Sequence, residues 1–200
     1  MPEPEEEEKP RPLPLTLESR RALALDLEMI PEASAMLQRD RFLEKGLAAL
    51  VDGGHLDTAF RLLARMLSPA KAMLWAILCH DDANPILTEG ELPADVTRRA
   101  LLAFARAPGE ATRDAAERAG QALGWTEPLG MAASALSVLP NGKAILLDGE
   151  MNPETKLFAD LVGRSILLVA LGTPGGELAR ATKAKVLAAK GVSLALYRKP

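Results

Sequence analysis

The chain has 200 residues, of which 48% are hydrophobic and 4% aromatic, a composition that supplies one apolar core and favours Ala- and Leu-rich helices. Its single cysteine, Cys79, excludes an internal disulfide framework. The net charge is −3, but five glutamates against one lysine give residues 1–10 a charge of −4 and leave the rest at +1. Because residues 11–200 are close to neutral, the sequence argues against broad electrostatic binding of nucleic acid.

The N-terminal residues 1–14 contain an acidic run, Glu5–Glu8, and five prolines. Such a segment cannot bury enough apolar surface to offset its ordering entropy. We therefore expect residues 1–14 to be a disordered tail and residues 15–200 to form a single helical domain. The tail either solubilises the protein or docks on a basic partner, and we expect its deletion to leave stability almost unchanged.

Neither a signal peptide nor a membrane span is evident in the sequence. The N-terminus is acidic and proline-rich rather than basic and apolar, and the longest strongly apolar run, residues 166–171, is too short to cross a bilayer. We therefore predict a cytoplasmic protein without membrane insertion.

Helical periodicity, capping residues and breakers predict an all-α fold, an irregular helical bundle of about seven to nine helices. Thr16 is the expected N-cap of the first helix, and Gly53-Gly54 is the expected turn of one αα-hairpin that resembles a helical-repeat unit. Gly191 is expected to end the last helix. The predicted helices cover residues 16–29, 31–51, 56–67, 69–80, 94–107, 110–123, 127–139, 154–171 and 177–190.

Two local details complete the predicted fold. Asn141-Gly142 suits a tight turn, so the flanks 137–139 and 144–147 are candidates for a small β-hairpin. The helix over residues 69–80 is apolar nearly all round, since Leu74, Trp75, Ile77 and Leu78 occupy different faces. We expect this helix to be central and Trp75 to be buried.

One pattern in the sequence is compatible with metal chemistry. His55 and His80-Asp81 are followed by Asp114, Asp148 and Asp160, an order that resembles the ligands of HD-type metal-dependent phosphohydrolases. However, His55 lies at a glycine turn, and Asp81-Asp82 is equally well explained as the polar end of a helix. This activity is an alternative hypothesis, not an assignment of ligands.

Two further motifs favour structural interpretations. Cys79 and His80 are adjacent on a helix and point in different directions, so Cys79 is expected to be a small buried hydrophobe rather than a nucleophile. Residues 172–176, Gly-Thr-Pro-Gly-Gly, lack the Gly-Lys-Ser/Thr ending of a phosphate loop and are expected to separate two helices.

Basic residues are concentrated near the C-terminus, where no acidic residue follows Glu177. They form either a solvated helix face or a docking patch for an acidic partner, with the protein's own acidic tail as one candidate. The residues concerned are Arg180, Lys183, Lys185, Lys190, Arg198 and Lys199.

From about Phe42 to Tyr197 the chain resembles a family of short bacterial all-helical proteins catalogued only as a domain of unknown function. The resemblance rests on packing motifs in residues 54–64, 68–79, 162–172 and 187–195. Around residues 136–153 the chain departs from it, because Leu-Ser-Val and Asn141-Gly142 replace a Trp-Ser-Gly motif and a proline-rich loop. The resemblance implies an association with bacterial secretion or envelope gene clusters, and it supplies no site residues.

The sequence thus assigns no catalytic, cofactor-binding or metal-ligating residue and implies no cofactor. The leading hypothesis is a non-catalytic adaptor that docks another protein. The alternatives are the metal-dependent phosphohydrolase and a structural subunit of a homo-oligomer, and the sequence leaves the oligomeric state open.

Overall fold

The computed structural model describes residues 16–83, 92–139 and 153–196. Within these ranges the chain forms ten α-helices and one short 3₁₀ helix, so the predicted all-α bundle is confirmed with one helix more than expected. The α-helices are α1 (Leu17–Asp26), α2 (Pro31–Arg39), α3 (Leu43–Asp52), α4 (Leu56–Met66), α5 (Pro69–Ala83), α6 (Pro93–Arg106), α7 (Glu110–Leu123), α8 (Pro128–Ser134), α9 (Pro153–Leu171) and α10 (Gly176–Leu196). The predicted tail, residues 1–14, lies outside the described residues.

The additional helix arises where the sequence predicts one continuous helix over residues 31–51. Asp40 leaves the helical conformation (φ −115°, ψ 143°), and its carboxylate accepts the N–H of Phe42 at 3.0 Å. Arg20 of α1 donates to the carbonyls of Gln38 and Asp40, which the end of α2 leaves without helical partners. The break therefore depends on a side chain about 20 residues upstream, and the prediction of one helix was wrong.

The C-terminal helix also differs from expectation, because it runs through Gly191 to Leu196. Gly191 is buried inside α10 and faces the ring of Trp75, so its lack of a side chain serves packing rather than helix termination. Other predicted boundaries are confirmed: Thr16 caps α1 through a bond from the Ser19 N–H, and Gly53-Gly54 join α3 to α4.

Two further predictions needed correction. α5 continues to Ala83, which places Asp81 and Asp82 in its last turn rather than in a loop. Residues 127–139 form α8 followed by a 3₁₀ helix, Ala135–Val138, so the first flank of the proposed β-hairpin is helical. The remainder of that hairpin lies outside the described residues.

A single contiguous core joins the helices, with α5 and α9 at its centre. Trp75 is fully buried and meets Phe60 edge-to-face at a centroid distance of 6.0 Å, which confirms the predicted central position of α5. The side of α5 that carries Leu78 is an exception, since Leu78 is 37% exposed. Among the described residues, none of the helices combines the length and apolarity needed to cross a membrane.

A close helix approach brings α9 onto α4. A β-carbon on Gly163 would lie 2.8 Å from the backbone N and Cα of Arg61, so only glycine permits this helix contact. The contact sets Asp160, one turn before Gly163, beside the polar face of α4, where the charged side chains described below meet.

Candidate functional site

The predicted pair His80-Asp81 lies in the last turns of α5 and faces α6. Asp81 accepts two hydrogen bonds from Arg98, Nε to Oδ1 at 2.7 Å and Nη2 to Oδ2 at 2.6 Å. The His80 Nδ1 atom is buried, has no hydrogen-bond partner among the described residues and lies 3.8 Å from Asp81 Oδ1. Burial lowers the pKa of His80, and the charge of Asp81 opposes that effect only in part. Arg98 therefore occupies both carboxylate oxygens of Asp81.

The other residues of the predicted metal pattern are placed on separate elements. His55 is the N-cap residue of α4, and its buried Nε2 atom has no hydrogen-bond partner in the part of the chain that the structure describes. Asp114 pairs with its neighbour Arg113, and Asp160 pairs with arginines of α4. Asp148 lies outside the described residues. Across residues 16–83, 92–139 and 153–196, the fold assembles no group of three His, Cys, Asp or Glu side chains suited to a metal ion.

Cys79 has the inert environment that the sequence predicted. Its side chain is fully buried, and burial raises the pKa of the thiol to about 12. A thiol needs its thiolate form to act as a nucleophile, so this environment suppresses reactivity at neutral pH. Cys79 is a packing residue of α5.

The sequence analysis missed the main charged cluster, which joins α1, α4 and α9. Arg61 holds Asp160 in a two-point contact, Nε to Oδ1 at 2.8 Å and Nη2 to Oδ2 at 3.1 Å. Arg65 has a side chain only 1% exposed and contacts Asp160 Oδ1 at 3.5 Å and Asp26 Oδ2. Lys156 of α9 binds the other oxygen of Asp26.

This cluster is structural in chemistry, since each of its partly buried carboxylates is matched by a cation. The hydrogen bond to Asp160 raises the pKa of Arg61, so the arginine is charged at all relevant pH values. The sequence does contain one signal for the cluster, because Asp57, Arg61 and Arg65 recur at intervals of four on an otherwise apolar helix. The partner Asp160 follows 99 residues after Arg61, and no local pattern connects the two.

The lysines of α10 attach that helix to the bundle. Lys183 binds Asp82 at two points, the carboxylate at 2.6 Å and the backbone carbonyl at 3.0 Å. Lys190 binds the other carboxylate oxygen of Asp82 and the backbone carbonyl of Leu78, both at 3.2 Å. The hydrogen bond from Lys183 lowers the pKa of Asp82. Lys185 pairs with Asp52 of α3 at 2.7 Å. Lys183 and Lys190 thus bind the C-terminal end of α5, where the helix dipole favours positive charge, and Lys185 binds a carboxylate of α3. All three lysines are paired within the chain. Arg180 is exposed, and Arg198 and Lys199 lie outside the described residues.

A different end of the molecule exposes large apolar side chains. Thr97, one turn into α6, donates to the carbonyl of Ala119, one turn before the end of α7, at 3.0 Å, so the start of α6 adjoins the end of α7. Three apolar side chains lie at this end: Trp125 is 50% exposed, Leu92 57% and Val96 41%. We refer to Leu92, Val96 and Trp125 as the Trp125 face.

A model of a known protein family matches residues 46–195, from within α3 almost to the end of α10. The family is described as a family of unknown function, DUF6931. The chain belongs to the DUF6931 family. The match confirms the resemblance stated from the sequence and falls within the span predicted for it. Both α1 and α2 precede the segment that matches DUF6931. No curated protein and no solved structure matches the chain.

Proposed function

We propose that this DUF6931 protein is a non-catalytic adaptor that docks another protein through the Trp125 face. The observation that carries the proposal is that the half-exposed indole of Trp125 lies at the same end of the α6–α7 pair as two further exposed apolar side chains. Grouped exposed apolar side chains are typical of interaction sites, and Trp is among the residues most enriched at the energetic centres of protein interfaces.

The charge distribution supports this choice of surface over the C-terminal helix. Lys183, Lys185 and Lys190 already bind acids or carbonyls of the same chain, so an acidic partner would have to displace those contacts. Docking at the Trp125 face requires no such exchange. Burying the indole and its apolar neighbours would supply the hydrophobic term that drives most protein association.

Affinity capture after chemical cross-linking in the native host, followed by titration calorimetry with the purified partner, tests the proposal. Trp125→Ala should weaken binding by tenfold or more, about 1.4 kcal/mol. The matched control is Leu178→Ala on α10, where the side chain is 81% exposed, and it should bind like wild type. Both variants should retain the wild-type circular dichroism spectrum. Equal binding by Trp125→Ala and wild type would refute the Trp125 face as the docking site.

The alternative functions stay predictions, and the same purified protein tests them. Stoichiometric bound metal that disappears in His80→Ala would favour the phosphohydrolase over the adaptor. A defined homo-oligomer in size-exclusion chromatography with light scattering would favour the structural subunit. The association with a secretion or envelope gene cluster and the cytoplasmic location likewise stay predictions.

A further inference from the structure

The first helix, α1, is attached to the bundle differently from the others. None of its residues from Leu17 to Asp26 belongs to the contiguous core, although Ala24 is buried and Leu23 packs partly against that core. Leu17 is 44% exposed and Leu25 80% exposed. Apolar burial, which secures the other helices, therefore contributes little to the position of α1.

Two charged side chains of α1, Arg20 and Asp26, make polar contacts with other helices. Arg20 donates to the carbonyl of Gln38 at 2.7 Å and to that of Asp40, which ties α1 to the end of α2. One carboxylate oxygen of Asp26 pairs with Arg65 of α4, and the other pairs with Lys156 of α9. One carboxylate thus contacts both α4 and α9.

The chain just after α1 has the features of a pivot. Leu27 is 2% exposed and belongs to the core, so it anchors the chain there. Glu28 follows with φ +50°, a left-handed conformation that is unfavourable for a residue with a β-carbon. By contrast, α2 is fixed firmly, because Leu37 packs on the bare backbone of Gly46 and Met36 on that of Gly53.

We propose that α1 is a releasable strap, which detaches from α4 and α9 as a unit while the other helices stay folded. Asp26 is its latch, and Leu27–Glu28 is its pivot. Release relieves the left-handed conformation at Glu28, but it breaks the hydrogen bonds from Arg20 to the carbonyls of Gln38 and Asp40. It also leaves the guanidinium of Arg65 with Asp160 as its remaining carboxylate, and these losses keep the strap closed at rest. The strap precedes the segment shared with the family, so opening it changes the surface that the shared module presents.

Hydrogen exchange of the full-length protein, followed by mass spectrometry, tests the strap. Local openings let individual segments exchange faster than the global unfolding rate allows. In wild type, peptides from α1 should exchange faster than those from α4 and α9. Asp26→Asn should raise the exchange rate of α1 peptides by about tenfold or more. The exchange rates of peptides from α4, α5 and α9 should stay within about twofold of wild type. Lys156→Gln, which removes the more exposed partner of the latch, should give a smaller increase in the same segment.

Asp52→Asn is the matched control, because it removes an exposed ion pair with Lys185 on another helix and should leave α1 unchanged. The proposal fails if Asp26→Asn raises the exchange rates of all helices equally, since Asp26 would then stabilise the whole fold rather than the attachment of α1. It also fails if α1 exchanges at the same rate in wild type and Asp26→Asn, since the Asp26 contacts would then not keep α1 attached to α4 and α9.

Discussion

The indole of Trp75 lies directly against the backbone of Gly191, where a β-carbon would come within 2.8 Å of ring atom Cε2. The same indole donates from Nε1 to the carbonyl of Leu187, one turn earlier in α10, at 2.9 Å. Trp75 therefore sets both the distance and the register between α5 and α10, and this contact requires glycine at position 191.

Gly191→Ala should lower the free energy of unfolding by about 1–3 kcal/mol, because the added methyl group overlaps the buried ring. Helix propensity alone predicts the opposite sign, since Ala is favoured over Gly within a helix by about 1 kcal/mol. Urea denaturation measures the change. Ser193→Ala, an exposed position on the same helix, is the control and should change stability by less than about 0.5 kcal/mol. A Gly191→Ala protein more stable than wild type would contradict the packing of α10 on Trp75.

Removing the indole itself should have a larger effect. Trp75→Ala should cost about 3–5 kcal/mol, because it empties a fully buried site next to Phe60. Trp75→Phe retains an aromatic ring but loses the bond to Leu187, so it should fall between wild type and Trp75→Ala. Calorimetric melting of the three proteins gives the order. An unchanged melting temperature in Trp75→Ala would place the residue at the surface.

These contacts show which parts of the fold the sequence can predict. The apolar pattern around Trp75 identifies a central helix, because burial of most of a helix surface requires apolar residues on several of its faces. The role of Gly191 is invisible locally, since a glycine that ends a helix and one that admits a neighbouring ring look alike. Arg20 stabilises the break at Asp40 from about 20 positions away, and Arg61 and Asp160 are 99 positions apart, so no local pattern connects either pair.

The charged cluster of α4 and α9 gives a prediction about buried ion pairs. Asp160→Asn removes the carboxylate that Arg61 and Arg65 share, and it should cost about 3 kcal/mol because both cations lie in a largely buried setting. Asp57→Asn is the control, since Asp57 is 46% exposed and meets Arg61 at 3.4 Å. It should cost less than about 1 kcal/mol. Equal losses for the two variants in urea denaturation would show that the cluster is not a buried one.

His80 gives a prediction about pH. Burial lowers its pKa in the folded protein below the value near 6.5 of the unfolded chain, so the folded state binds fewer protons in that interval. Stability should therefore fall as pH drops from 6.5 through the folded pKa. His80→Gln should lack this component, so the stability difference between pH 7.5 and pH 5 should be smaller than in wild type. Chemical denaturation at both pH values measures it, and identical differences in the two proteins would contradict the burial of His80.

Cys79 gives a prediction about reactivity. The thiolate is the reactive species, and burial of Cys79 raises the pKa of its thiol to about 12 and also blocks access of a reagent. In the native protein at pH 8, an aromatic disulfide reagent should therefore label Cys79 at the slow rate of protein opening. In guanidinium chloride one thiol per chain should react at once, which provides the control for reagent and protein concentration. Trp75→Ala, which loosens the packing of the same helix, should accelerate the native reaction. Rapid labelling of native wild type would show that the end of α5 is open to solvent and that Cys79 is not a core residue.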